Sequence, residues 1–161
     1  MAEVSPLLAA VYRGDAATVA AILATGPQLD IFEAAAVGDL ARVRALVTAD
    51  PALARAFAAD GFHPLGLAAF FKHPDVVRFL IDAGADLNAP SRNRMKVAAL
   101  HSAIAARDRE STLALIAAGA DVNAEQEGGF TPLDAATQNG DREIVDALRA
   151  AGADPSTRRT G

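Results

Sequence analysis

Apolar positions along this chain fall into short helical stripes separated by polar turns. Val76, Val77, Leu80 and Ile81 lie at helical spacing, as do Ile144, Val145 and Leu148, so each set forms one apolar helix face. Shorter, alanine-rich runs precede them: HPLGLAA from His63, AALHSAI from Ala98 and TPLDAAT from Thr131. Thr131 sets a hydroxyl at a helix N-cap, and Pro132 falls at the first helical position, where a missing N–H costs nothing. Gly140 suits the end of that first helix. Gly84, Gly119 and Gly152 suit the ends of the second helices, since glycine takes the left-handed C′ conformation without a Cβ penalty. The Asp and Asn residues that follow favour turns by bonding their own backbone. The elements predicted are pairs of short helices, each pair followed by an extended loop.

These elements repeat. GADLNA begins at Gly84, GADVNA at Gly119 and GADPST at Gly152, and the alanine-rich runs starting at His63, Ala98 and Thr131 shift by the same intervals. In period, element order and motif the unit resembles the ankyrin repeat. The resemblance extends from Ser5 to Pro155 and implies an all-α solenoid of stacked helix–turn–helix pairs with finger loops. In that frame Ile31 and Leu7 take the leucine position of two earlier units, and the first, with almost no finger, is expected to cap the array. Arg149 replaces the apolar residue found at Val47, Ile81 and Ile116, which suits a polar C-terminal cap. The expected organisation is one domain over 1–157, with an N-cap unit at 5–29 and units at 30–59, 60–93, 94–126 and 127–157. A flexible tail is expected at 158–161. The fourth unit has Ala98-Ala99 in place of Thr-Pro, and Ser111 and Thr112 where the third has Val76 and Val77, so it is expected to be the least stable locally.

Composition narrows the function classes. The 161 residues are 52% hydrophobic, mostly alanine, which suits helices packed closely on helices. There is no cysteine, so disulfides, thiolate metal sites and cysteine nucleophiles are excluded. The N-terminal run is broken by Arg13, Gly14 and Asp15 and is no signal peptide. A soluble, cytoplasmic protein is expected. Arginine outnumbers lysine 13 to 2, which with the abundant alanine points to a GC-rich, bacterial genome.

The chain carries a net charge of -5, yet PSRNRMKV, from Pro90, holds Arg92, Arg94 and Lys96 with no acid. The ankyrin resemblance makes this stretch a finger, longer than the one bearing Glu125, Gln126 and Glu127. It also implies that partners are held by finger tips and the exposed ends of the first helices. Carried over position by position, this gives Tyr12, Phe62, Phe70, Phe71, Lys72, Arg92, Arg94, Met95, Lys96, Arg107, Phe130, Gln138 and Asn139 as candidate partner-binding residues. Phe62, Phe70 and Phe71 fall in one unit, with Lys72, Arg92, Arg94, Lys96 and Arg107 expected beside them. Aromatic residues and arginine are enriched at interfaces. The expected partner is another protein offering an acidic segment with an apolar anchor.

An enzymatic site is not legible. His101 sits at the histidine position of TPLH, and His73 follows a first-helix end where Lys72 replaces glycine; both are structural positions in the family. His63 replaces the TPL threonine as a weak cap. No HExxH, GxSxG, P-loop or GxGxxG constellation is present, and no cofactor, metal or membrane is expected. The acidic balance and the lack of a basic stripe argue against nucleic acid, although the cationic finger with its phenylalanines keeps weak binding as an alternative. The expected role is a non-catalytic interaction module, monomeric, which regulates its partner. The alternative is a structural component that self-associates, as a homodimer or larger assembly, through the apolar patch.

Overall fold

A computed structural model describes residues 3–155; the expected tail at 158–161 lies outside them. Among the described residues the chain forms five helix pairs: α1 (Pro6–Tyr12) with α2 (Ala16–Ala24), α3 (Ile31–Val37) with α4 (Leu40–Ala49), α5 (Pro64–Phe70) with α6 (Pro74–Asp82), α7 (Ala99–Ala105) with α8 (Arg109–Ala117), and α9 (Pro132–Asn139) with α10 (Arg142–Ala150). The first helices pack side by side in the order α1, α3, α5, α7, α9, and α4, α6, α8, α10 form a second layer. This is an all-α solenoid.

Alanine explains how the inner layer forms. Ala34, Ala35, Ala68, Ala69, Ala99, Ala103 and Ala136 are fully buried, so neighbouring first helices approach with little side chain between them. The larger stripes, Val43 and Val47, Val76, Val77 and Leu80, Leu115, then Ile144 and Leu148, fill the space between the two layers. Each such Leu or Ile contributes about 1.5–3 kcal/mol by leaving water. In α8 the valines are replaced by Ser111 and Thr112, which are buried but satisfied: Ser111 Oγ donates to Asp108 Oδ2 at 2.5 Å, and Thr112 Oγ1 donates to the Asp108 carbonyl at 2.7 Å.

Adjacent units are tied at their loops. The Asp86 and Asp121 side chains accept from the N–H groups of Asn88 and Asn123, closing the turns. Asn88 Oδ1 in turn accepts from Asp121 N at 2.7 Å, and Asn123 Oδ1 from Asp154 N at 2.8 Å. In the second unit the Gly-Ala-Asp turn is absent, and a short 3-10 helix, Pro51–Arg55, stands there instead. Its N-terminus is capped by Asp50, which accepts from Ala52 N. The fingers therefore do not all start alike, which shapes the surface beside Pro90–Val97.

Candidate functional site

The finger at Pro90–Val97 is a closed, hydrogen-bonded turn. Ser91 N donates to Val97 O, and Val97 N donates back to Ser91 Oγ, both at 2.9 Å. Asn93 Oδ1 accepts from Ser91 Oγ and from Met95 N, while its amide donates to Asp60 O. Backbone bonds from Arg92 N to Gly61 O and from Glu127 N to Met95 O tie it to the fingers on either side. Its position is thus fixed from both flanks.

Beside this finger lies an apolar slot of about 330 Å³, lined by Tyr12, Phe62, Gly66, Leu67, Phe70, Phe71, Met95, Val97, His101, Ser102, Ala105 and Gln126. Phe70 is the last residue of α5 and stands half exposed, at 50%. Phe71, the next residue, turns back onto the core and packs edge-to-face against Phe70, with ring centroids 5.1 Å apart. Tyr12 comes from two units away. It stacks on Phe71 at 6.0 Å and meets Phe62 edge-on at 6.3 Å, above the intervening α3. Its phenol donates to Asp60 Oδ2 at 2.6 Å; burial first, and then this bond to a carboxylate, push the phenol pKa upward, so the proton stays on.

Five of the residues singled out from the sequence, Tyr12, Phe62, Phe70, Phe71 and Met95, therefore meet in one place. The cations are distributed differently from the expectation. Arg92 and Lys96 do not face the aromatic slot: they line a second hollow with Arg55 and Phe57. The Arg92 guanidinium stacks over the Phe57 ring, 3.9 Å from its centroid, and that contact takes it to the other side. Phe130 and Gln138 border a separate hollow near Leu133 and Arg149. Asn139 is committed to holding repeats together, its amide donating to Ile104 O at 2.8 Å.

Lys72, Arg94 and Arg107 are exposed and carry no side-chain hydrogen bond or ion pair to another described residue. Lys72 and Arg107 share a feature of geometry. With φ of 63° and 56° they adopt the left-handed conformation that Gly14, Gly38 and Gly140 take after the first helices of other units. Left-handed backbone costs a residue with a Cβ about 1–2 kcal/mol. Both units thus hold a cation where glycine is easier.

The three histidines are spent on the backbone. His63 Nδ1 accepts from Gly66 N, capping α5, and its Nε2–H donates to Ala89 O at 3.0 Å, which fixes the neutral tautomer. His73 Nε2 bonds Ala36 O at 3.0 Å, its ring occupying the space that a Cβ on Gly38 would need. His101 Nε2 bonds Phe130 O, while Nδ1 is buried without a partner among the described residues. Burial holds the pKa of His63 and of His101 below the usual histidine range.

A family profile for ankyrin repeats (3 copies) matches residues 31–126 and again 89–159. The chain belongs to the ankyrin-repeat family. Ankyrin repeats are interaction modules that bind other proteins. The chain is also similar to the E3 ubiquitin-protein ligase XB3 of Oryza sativa subsp. japonica, 38% identical over 84 residues. That match takes in 50% of this ankyrin chain but spans only 19% of the ligase. Among the described residues no helix is long and apolar enough to cross a membrane.

Sequence reasoning missed Leu67, Val97 and Ser102 in the slot. Leu67 and Ser102 are both fourth residues of their helices, and Phe62 and Val97 are the residues just before the N-caps. In Phe62 and Leu67 both positions are apolar, the pattern of a hydrophobic staple, whereas Ser102 makes no such pair with Val97. The staple was therefore the available signal for Leu67 alone.

Proposed function

We propose that this ankyrin domain is a non-catalytic module that holds a partner protein in the slot between the α5 and α7 ends and the Pro90–Val97 finger, and regulates that partner by doing so. One observation carries the reading. Among the described residues four large apolar side chains stand exposed, and three of them, Phe70, Met95 and Tyr12, converge on this slot. Gathered apolar surface of this kind marks interaction sites, whereas scattered exposed residues do not. An aliphatic or aromatic side chain of the partner fills the slot. Lys72, Arg94 and Arg107, without a counter-ion among the described residues, favour acidic residues beside that anchor, while Asp60 is already engaged by Tyr12. With each histidine Nε2 held by a carbonyl, binding is the activity this surface supports best. The reading carries with it a cytoplasmic location, which fractionation of the source cells checks.

Capture from a lysate of the source organism tests the proposal, with wild type and a Phe70→Glu, Met95→Glu variant as parallel baits. Both side chains are half exposed, so the fold tolerates the change, and circular dichroism checks it. A protein enriched by wild type and lost with the variant supports the slot. Equal recovery by both baits rejects it. Sedimentation of wild type that reveals a concentration-dependent dimer, abolished by the same variant, transfers the patch to self-association.

A further inference from the structure

Two departures from the regular repeat meet on the far side of the long finger. The 3-10 helix Pro51–Arg55 replaces the Gly-Ala-Asp turn of the second unit, and the Pro90–Val97 finger joins the third unit to the fourth. Between them lies an open cleft of about 1080 Å³, bordered also by the turn at 85–90. Its charged lining is Arg55, Arg92 and Lys96 against a single acid, Asp86. In a chain of net charge -5 this is an inverted balance.

The arginines are held so that their tips remain available. Arg55 uses Nε to donate to Gly84 O at 2.9 Å, which leaves both terminal amines. Arg92 sits over the face of Phe57, and Phe57 packs edge-on against the buried ring of His63, 5.7 Å away. Stacking fixes the guanidinium plane and leaves its edge of N–H donors open. The Arg92 backbone is pinned as well, its N–H donating to Gly61 O at 2.8 Å. Lys96 sits in left-handed backbone at φ 50°. The described residues offer none of the three cations a carboxylate within ion-pair reach; their ion pairs join Arg78 to Glu110 and Arg109 to Asp141 and Glu143. Asp86 is occupied by the Asn88 N–H.

The geometry points to a second binding site in this cleft, for a phosphate monoester gripped by Arg55 and Arg92 with Lys96 beside them. The lining leaves two net positive charges, which match the charge of roughly −1.5 to −2 on a phosphate monoester near neutral pH better than the single charge of a carboxylate. Pre-set guanidinium edges suit its three oxygens, and the Phe57 side supplies contact for whatever carries the phosphate. This site lies on the other side of the finger from the apolar slot and does not depend on it. The phosphate has two sources, a phosphorylated side chain of a protein or a small soluble ester.

The test uses the full chain, 15N-labelled, titrated with inorganic phosphate and separately with N-acetyl-phosphoserine amide, against sodium chloride at matched ionic strength. The side-chain Nε–H signals of Arg55 and Arg92 and the amides of residues 91–96 are followed by NMR. Saturable shifts with the phosphates and none with chloride are expected, weakened at least tenfold in Arg55→Ala and in Arg92→Ala. Arg92→Lys, which keeps charge but loses the stack, is expected to fall between. Arg44→Ala removes an arginine that also stacks on a phenylalanine, Phe79, but lies outside the cleft, and is expected to titrate like wild type. Tighter binding of the phosphoserine derivative assigns the source to a modified protein, and tighter binding of inorganic phosphate to a small ligand. Shifts that never saturate, that chloride reproduces, or that survive both arginine substitutions in folded protein overturn the site.

Discussion

The fifth helix pair keeps the local rules that the third and fourth set aside. Thr131 caps α9 and shares a capping box with Asp134, Pro132 opens the helix, Gly140 closes it in left-handed backbone, and Asp141 caps α10. In the third pair His63 stands for the threonine, Lys72 for the glycine, and His73 leaves α6 without a side-chain cap. In the fourth, Ala98 leaves α7 uncapped and Arg107 takes the left-handed position. The slot is built from these same two units and the finger between them, with Tyr12 of the first unit added. Local helix-end rules are thus set aside in the two units that supply most of the aromatic slot, and departures of this kind are expected at functional regions.

The contrast breaks most visibly at glycine. A Cβ on Gly61 would stand 2.7 Å from the Arg92 carbonyl carbon, whereas one on Gly140 would meet nothing within 4 Å. Gly61→Ala is expected to lower stability by about 2–4 kcal/mol, through a close backbone contact on top of left-handed strain. Gly140→Ala carries the strain alone, about 1–2 kcal/mol. Urea unfolding of the two variants measures the gap, and equal costs would mean that the finger yields freely.

The next effect has the opposite sign. Lys72→Gly and Arg107→Gly should each stabilise by about 1 kcal/mol by relieving left-handed strain, while Gly140→Lys should destabilise by a similar amount. Ala98→Thr is expected to add about 1 kcal/mol, since it supplies the missing cap of α7. In the fifth unit the equivalent hydroxyl reaches the side chain of the third helical residue, at 3.0 Å from Asp134 Oδ2. The same placement in the fourth would give the orphaned His101 Nδ1 its partner. Hydrogen exchange should slow across α7 in that variant, and no change there would refute the capping argument.

The smallest effect is in pH. His63 and His101 are held neutral by burial, with folded-state pKa below the unfolded value of about 6.5. Their contribution is complete above that value. As pH falls below it, the unfolded chain binds protons that the folded chain refuses, and stability declines until the folded pKa is passed. The melting temperature should therefore drop between pH 7.5 and 5.5, and less so in His63→Thr. A flat profile would contradict the buried, neutral assignment.

The repeat and its helices were legible because their signals are local. Pro132 at N1, the glycine stops and the Val76–Leu80 stripe each act within a turn or two of helix. The aromatic part of the slot was legible for a related reason, since repeat position carries Phe62, Phe70 and Phe71 to one face. Contacts across units were not. Tyr12 reaches Phe71 over α3, where Ala36 is buried and Val37 only partly exposed, and nothing in either residue's own neighbourhood announces that meeting. The split of the finger's cations was equally hidden. Arg92 and Arg94 look alike in sequence, but the turn set by Ser91 and Asn93 sends Arg92 onto Phe57 and leaves Arg94 in solvent. Which of two adjacent phenylalanines is exposed depended on where α5 stops, at Phe70.

The most direct test of the account is made on one protein, the Lys72→Gly, Arg107→Gly double variant, measured for urea stability and for partner capture from the source lysate. The account predicts a variant more stable than wild type that captures less partner, because strain was retained to keep two cations at the edge of the slot. A variant that is more stable and captures as much as wild type would contradict it, and would leave the departures of the third and fourth units without a function at this surface.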